Sequence, residues 1–375
     1  MFDKIKATLN WLPYYLARDL KMRILGPHVK PKHVYFCICD HFEPYWGKAD
    51  KKTAQKRLNT WINEWPKLAE KYRDSDGEML KYSFFYPEEE YQKDDLDALA
   101  ELCHAGHGEV EVHLHHGNDT SENLRRTLLD YKKRLHEEHG LLSVDKRTGE
   151  IVYGFIHGNW SLCNSRPDGR WCGVNDELKI LQETGCYADF TMPSAPSDTQ
   201  TRKVNSIYYA VDNPGKPKSH DWGRDAQVGG ERDGLLMVQG PLGLTWNRRK
   251  WGVIPRIENG GLMATSPVTA FRIKDWISQS VHVTGAGEHI FVKIYAHGTQ
   301  EKNMQWFFTD GGGERLLTGF ISVATEMDVA VHFVSARESA NIVKALEGET
   351  SKIENEMRNH LFAAACVNPS LRSYV

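Results

Sequence analysis

The chain has 375 residues, with 47 Lys and Arg against 50 Asp and Glu, a formal net charge of −3 and 40% hydrophobic residues. This composition is typical of a globular protein and excludes a collagen-like or disordered chain, and the near-balanced charge argues against a dedicated nucleic-acid binder. The unusual figure is 17 histidines, five of which lie between His104 and His116.

The first 30 residues predict an amphipathic, mildly basic helical segment without the apolar core or cleavage site of a secretory signal. We expect this helix to lie against the rest of the protein, with contact to a membrane surface as the alternative. Seven cysteines, an odd number in a chain of this size, favour reduced thiols. The expected location is therefore cytoplasmic, and association with a membrane through the N-terminal helix is the alternative.

Apolar strand-like runs alternate with helical patterns along the rest of the chain. Eight strands are predicted, at Val34–Cys39, Tyr82–Tyr86, Glu109–Leu114, Ile151–Ile156, Tyr187–Thr191, Leu235–Gln239, Ile290–Ala296 and His332–Val334. Helices are predicted between them, at Thr53–Tyr72, Leu96–Cys103, Asp119 or Thr120 to Glu138, Asn175–Glu183 and Glu338–Leu346. This alternation predicts an α/β fold with a parallel sheet covered by helices, and the number of units favours a closed or distorted β/α barrel. Stretches rich in Pro, Gly, Asn and Asp, at about 193–234 and 241–289, predict long loop insertions.

Histidines and acidic residues gather at the ends of the first and third predicted strands, where β/α barrels carry their active sites. In a strand, His113 and His115 share one face, and His116 follows at the turn. Imidazoles this close together suit zinc, iron, cobalt or nickel, usually with a carboxylate. The sequence therefore predicts a divalent metal, zinc in first place, with these candidate ligands: Asp40, His41, His113, His115 and His116.

Later strand ends supply further candidates. His297 is suited to protonate a leaving group, with a supporting or helix-capping histidine as the alternative. Asp189 is suited to orient a ligand histidine or to act as a base, with a buried, hydrogen-bonded aspartate as the alternative. Trp160 offers a ring on which a sugar could stack, and Arg337 offers a charge for an anion, with core packing and a structural salt bridge as the alternatives. The predicted substrate-binding set is Glu43, His157, Asn159, Trp160 and Arg337.

The stretch Gly108-Glu109-Val110-Glu111-Val112-His113 resembles the "G(H)EIGNH" strand of the polysaccharide deacetylases, the NodB-homology domain of carbohydrate esterase family 4. The resemblance implies a distorted barrel of seven or eight β/α units over residues 31–375, following the helical segment 1–30. It also implies a divalent metal, often zinc, and removal of N- or O-acetyl groups from a polysaccharide.

The order of features along the chain is similar to that of the family. By this resemblance, Asp40 stands in the place of the catalytic base and His297 in that of the general acid. His41 stands where the family has a second, metal-binding aspartate, unless Asp40 itself is the metal ligand.

The histidine motif departs from the family pattern. By resemblance His113 takes the place of the first metal-binding histidine, but Gly117 stands four residues on, where the second belongs. His115 or His116 must therefore substitute for it.

The function expected from these features is that of a metal-dependent hydrolase that deacetylates a sugar or oligosaccharide in polysaccharide biosynthesis. One alternative is a glycoside hydrolase on the same barrel, with Asp40, Glu43 and Asp189 as candidate carboxylates. The other is a carbohydrate-binding or assembly protein without catalytic activity. Activity that survives complete removal of metal would exclude the deacetylase.

Overall fold

The protein is seen in a computed structural model that describes residues 2–25, 29–348 and 354–364. It is an α/β protein with a large, mostly parallel mixed sheet. The strands are β1 His33–His41, β2 Tyr82–Pro87, β3 Gly108–Leu114, β4 Ser143–Asp145, β5 Ile151–His157, β6 Cys186–Asp189, β7 Ile207–Ala210, β8 Arg224–Asp225, β9 Leu235–Val238, β10 Gly243–Lys250, β11 Ile254–Glu258, β12 Gly261–Leu262, β13 His289–Ala296, β14 Ala330–Phe333 and β15 Phe362–Ala363.

The eight strands predicted from the sequence correspond to β1, β2, β3, β5, β6, β9, β13 and β14, and their pairings with one another are all parallel. The order across the sheet is β12-β13-β1-β2-β3-β5-β6-β9-β7-β8, with β14 beside the first half of β1. Among the described residues, no ladder joins the two ends of this path. Because neighbouring strands run the same way, their carboxyl ends meet along one edge, which is where the candidate site residues lie.

The helices are α1 Phe2–Leu25, α2 Lys51–Ala69, α3 Lys93–His104, α4 Ser121–His139, α5 Glu177–Glu183, α6 Ala270–Ser278, α7 Glu301–Met304, α8 Gly312–Met327, α9 Ala336–Glu347 and α10 Glu354–Met357. Side-chain caps fix several of their starts. Thr120 accepts a hydrogen bond from the Asn123 amide at 3.2 Å and so begins α4. Ser335 and Glu338 form a reciprocal capping box at the start of α9.

The alternation of side chains along β1 decides which residues can face the site. Phe36 and Ile38 contribute to the larger apolar cluster, which includes Trp61 of α2. Cys37 and Cys39 contribute to the second cluster, on the other face of the strand. Asp40 continues the first set and His41 the second, so these neighbouring residues point to opposite sides of the sheet.

The segments predicted as long loops contain more regular structure than the sequence indicated. In the first, β7 pairs antiparallel with β9 and adds a strand to the sheet. The second holds the antiparallel β10–β11 pair and α6. Both contribute to a small apolar cluster in which Trp11 and Tyr15 of α1 contact Ala195, Val204 and Leu242. The N-terminal helix is thereby held against the insertions.

The exposed side of α1 mixes apolar residues with Lys6, Asn10 and Lys21. Leu9, Leu16 and Leu20 of this helix are all more than half exposed. Contact of α1 with a membrane surface stays a prediction, and in the described part of the chain no helix is both long and apolar enough to cross a bilayer. The six cysteines found there are free thiols, and Cys366 lies outside the described residues.

Candidate metal centre

Three side chains from two strand ends converge at the carboxyl edge of the sheet. Glu43 Oε1 lies 3.2 Å from His113 Nε2 and 3.4 Å from His115 Nε2. His113 stands near the end of β3, His115 directly follows that strand, and Glu43 follows β1. The convergence arises because β1, β2 and β3 are parallel neighbours in the sheet.

Hydrogen bonds on the far side of each imidazole set its orientation. His113 Nδ1 donates to the carbonyl oxygen of Ile156 at 2.8 Å, which leaves Nε2 directed at Glu43. His115 Nδ1 donates to Glu89 Oε1, and the His115 amide donates to Glu89 Oε2 at 3.3 Å. Carbonyl and carboxylate partners of this kind fix the tautomer and ring orientation of metal-ligating histidines.

Two more imidazoles complete what we name the open group: His41, Glu43, His113, His115 and His297. The ring centroids of His41 and His297 are 4.7 Å apart, and ligand atoms of both lie within 4.8 Å of a Glu43 oxygen. His297 Nδ1 is buried and has no hydrogen-bond partner among the described residues. Glu43 is thus surrounded by imidazole nitrogens on more than one side.

The electrostatics of the open group suit a cation. Burial, followed by the charges of His297 and His113, lowers the pKa of His41 well below its usual value. Burial acts to raise the pKa of Glu43, but hydrogen bonding and charge from His113 outweigh it, so this pKa is lower than usual. Hydrogen bonding and charge from Glu89 raise the pKa of His115 despite its burial, so a bound metal would compete with a proton at this ring. Imidazoles around an ionised carboxylate are a donor set that divalent transition metals accept.

The open group is reachable from solvent. The His115 side chain is 31% exposed and that of Glu89 is 36% exposed. Trp160 lies on the same side, with its ring centroid 6.0 Å from that of His41 and 6.2 Å from that of His297. A ligand entering beside His115 would therefore meet an indole ring as well as the imidazoles.

Asp40 lies outside the open group. Its carboxylate accepts hydrogen bonds from the Gly298 amide at 2.8 and 3.1 Å and from the Tyr82 hydroxyl at 3.0 Å. Burial raises the pKa of Asp40 to about 7. Since Gly298 follows His297 in the chain, Asp40 fixes the backbone that presents His297.

Asp189 and Arg337 also lie apart from the open group. Asp189 accepts hydrogen bonds from the amide and hydroxyl of Thr191, at 3.0 and 2.7 Å. Arg337 is buried and donates to Glu109 at 2.6 Å and to the carbonyl oxygen of Phe362 at 2.9 Å. Glu109 belongs to the start of β3, whereas His113 lies near its end, so Arg337 takes part in a structural ion pair away from the carboxyl edge.

The histidine run after β3 is divided between two places. His116 turns away from the open group and, with His157, Cys172 and Glu177, forms a second group, which we name the closed group. His116 Nε2 lies 3.1 Å from Glu177 Oε1, and His157 Nε2 lies 3.6 Å from the same oxygen. Cys172 Sγ lies 3.3 Å from Glu177 Oε2. Asn159 and Trp160 follow His157 in the loop between the two groups.

Two residues of the closed group and one residue that orients His115 are absent from the sequence-based site. Glu89 lies in the run Glu88–Glu90 directly after β2, a strand-end position that could have indicated it. Cys172 and Glu177 are separated by four residues in a loop and the start of α5, without a recognised metal-binding spacing. Only the folded loop brings them to His157.

Comparison with known proteins adds no family assignment. A scan against models of protein families finds no match for this chain. A search of curated proteins likewise finds no matching relative. What the fold and the site define is an α/β protein with buried groups of His, Cys and Glu side chains that could hold a metal ion.

Proposed function

We propose that the chain is a metal-dependent hydrolase that removes acetyl groups from a sugar or oligosaccharide. The observation that carries the proposal is the convergence of Glu43, His113 and His115 at the carboxyl edge of a parallel sheet, with a solvent-exposed side at His115. Two histidines and one carboxylate on one side of an ion leave coordination positions free for water and substrate. The resemblance of residues 108–113 to the deacetylase strand supports the acetylated sugar as substrate.

We further propose that the sheet belongs to a distorted β/α barrel of the deacetylase type. Support comes from contacts across the interior between β13 and the chain that follows β6. Lys293 Nζ donates to the carbonyl oxygens of Phe190 and Met192 at 2.6 and 2.7 Å. The Gly240 amide, after β9, donates to the same Met192 oxygen at 3.0 Å. These bonds connect β13, near one end of the strand order, with the segments that follow β6 and β9, near the other end. No strand ladder in the described part of the chain makes this connection.

Zinc is the metal that this proposal places in the open group, held by Glu43, His113 and His115. A bound divalent ion acidifies water and polarises the acetyl carbonyl. His297 has a buried Nδ1 without a partner in the described part of the chain, and at this atom it takes up a proton and delivers it to the leaving amine or alkoxide. Asp40 serves as a positioning residue, because it holds the Gly298 amide beside His297. Trp160 provides the face against which the sugar ring stacks.

The glycosidase alternative has less support. It needs two carboxyl groups that face each other across the sugar. The oxygens of Asp40 are engaged by Gly298 and Tyr82, and those of Asp189 by Thr191. Glu43 is the acidic residue of the predicted set that meets the imidazoles.

The test measures metal content and acetate release on the same preparations of the full chain. Wild type is compared with His113→Ala, with Glu43→Gln, and with His104→Ala as control, a residue of α3 that donates to the Gly140 carbonyl oxygen. We expect wild type and His104→Ala to hold metal and to release acetate from N- or O-acetylated oligosaccharides. His113→Ala and Glu43→Gln should lose metal and activity together.

Two results would overturn parts of the proposal. Full acetate release after complete chelation, or a metal content unchanged by His113→Ala, removes the metal-dependent mechanism. Metal binding without acetate release from any N- or O-acetylated oligosaccharide removes the deacetylase and favours the binding-protein alternative.

A further inference from the structure

We propose that the closed group, His116, His157, Cys172 and Glu177, is a second metal site that holds a zinc-like divalent ion as a structural element. This site is separate from the open group and its existence does not depend on the proposed reaction. It offers two imidazole nitrogens, one sulfur and one carboxylate oxygen, a mixed donor set that zinc accepts in tetrahedral geometry.

The spacing of the donor atoms fits one small ion. In a tetrahedral site with bonds of ~2.0–2.3 Å, ligand atoms lie roughly 3.3–3.8 Å apart. The separations to the Glu177 oxygens are 3.1 Å from His116 Nε2, 3.6 Å from His157 Nε2 and 3.3 Å from Cys172 Sγ. These three separations lie within a few tenths of an ångström of that range, and one donor atom from each of the four residues lies within 4.8 Å of the others.

Each imidazole is oriented from behind, as in the open group. His116 Nδ1 donates to Asp119 Oδ2 at 3.0 Å, and His157 Nδ1 donates to the carbonyl oxygen of Gly158. His157 Nε2 is fully buried and has no hydrogen-bond partner in the described part of the chain. A buried polar atom without a partner is costly, and a metal bond at Nε2 removes that cost.

Burial and the charge of Glu177 raise the pKa of Cys172 well above its usual value, so a bound ion must displace the thiol proton. Two backbone amides support the resulting thiolate of Cys172. Its sulfur accepts hydrogen bonds from the amides of Asn164 and Val174, at 3.2 and 3.5 Å. Such donors stabilise negative charge on sulfur. A thiolate and the Glu177 carboxylate together carry two negative charges, so a divalent cation leaves the buried site neutral.

The closed group has the character of a structural site because its donors are sealed from solvent. The side chains of His157 and Glu177 are 0% exposed, and that of His116 is 7% exposed. Four protein ligands complete a tetrahedral shell and leave no position for a substrate. The open group, in contrast, keeps an accessible edge at His115.

The ion would fasten the loop that carries Trp160. This loop, between His157 and Glu177, contains five non-glycine residues in the left-handed region: Asn159, Trp160, Cys163, Asn164 and Trp171, with φ between 52 and 68°. Left-handed backbone is unfavourable for such residues and persists only where the surroundings enforce it. His157 anchors the beginning of the loop, and Cys172 and Glu177 anchor its end. Filling the closed group therefore keeps Trp160 against His41 and His297.

Cobalt provides a probe specific to this site, because the open group contains no sulfur. We expect the full chain loaded with Co²⁺ to show a thiolate-to-cobalt charge-transfer band. Cys172→Ser should abolish that band. Cys163→Ser is the matched control: it alters a buried cysteine of the same loop whose sulfur donates to the Asn175 carbonyl oxygen, and the band should remain. His113→Ala should keep the band while losing one equivalent of metal.

Several outcomes would overturn the proposal. Absence of the band in the cobalt-loaded wild type does so without any variant, even if Cys172→Ser fails to fold. Survival of the band in Cys172→Ser would show that another cysteine supplies the thiolate. Loss of the band in His113→Ala would show that the cobalt seen by the band is not held by the closed group alone. Limited trypsin digestion gives a further readout: removal of metal should increase cleavage after Arg170, an exposed loop residue, in wild type and in His113→Ala alike. Unchanged cleavage would show that the ion does not hold the loop.

Discussion

The carboxylate of Glu89 is expected to control metal affinity at the open group although it does not itself reach the ion. It accepts two hydrogen bonds from His115, one from the ring and one from the amide. Partners of this kind typically contribute 10- to 100-fold to metal affinity, or about 1.4 to 2.7 kcal/mol. In Glu89→Gln an acceptor oxygen remains and only the charge is lost. The partial exposure of His115 also lets water replace part of the interaction. We therefore expect a loss of about tenfold, at the lower end of that range.

The measurement is competition for Zn²⁺ between the protein and a chromophoric chelator. The zinc equivalent that wild type binds and His113→Ala does not is assigned to the open group, and only its affinity is compared. The closed group is thereby left out of the comparison. Glu88→Gln is the matched control, since it neutralises the neighbouring carboxylate of the same acidic run. An affinity of Glu89→Gln within twofold of wild type, or an equal loss in Glu88→Gln, would refute this account of how His115 is oriented.

Two further predictions concern stability. Arg337→Met leaves the Glu109 side chain, which is 17% exposed, with a hydrogen bond from Ser335 but without its ion-pair partner, and should lower the free energy of unfolding in urea by about 3 kcal/mol. The exposed ion-pair variant Arg224→Met should cost at most about 1 kcal/mol, and equal losses in the two variants would contradict this. Burial raises the pKa of Asp189 in the folded protein to about 7, from 3.8, so the folded state keeps a proton that the unfolded chain releases. Stability should therefore fall as pH rises from about 4 to about 7, by roughly 2–4 kcal/mol for this group. Asp189→Asn should show a shallower fall between pH 5 and 7.5, and identical slopes would disprove the assignment.

Most of the strands were predictable because parallel strands buried on both faces form continuous apolar runs. β3, which alternates Glu or His with Val and Leu, is the exception among these strands. Their parallel arrangement also made it predictable that residues at strand ends would meet. His41, His113 and His297 do lie together in the open group. Antiparallel β7 and helix α8 were not predicted, since the first lies in a loop-like segment rich in turn residues and the second begins with glycines.

The sequence alone could not predict which side chains enter each of the two groups. Period-two alternation separates Asp40 from His41, but which of them faces the imidazoles depends on the side on which the helices cover β1. Alternation also ends where a strand ends, so it gave no direction for His116. Cys172 reaches its group through a loop with several left-handed residues, a path that no periodic pattern encodes.

His115 and His116 share one peptide bond yet serve different groups, the first facing Glu43 and the second Glu177. If both groups hold an ion, as proposed, a rotation of that peptide changes both sets of metal bonds. Occupancy of the two proposed sites would then be thermodynamically linked, and each ion would change the affinity of the other by the same factor. A titration of the chain with zinc should accordingly depart from two independent binding curves, with a cooperativity, positive or negative, that vanishes when either group is disabled.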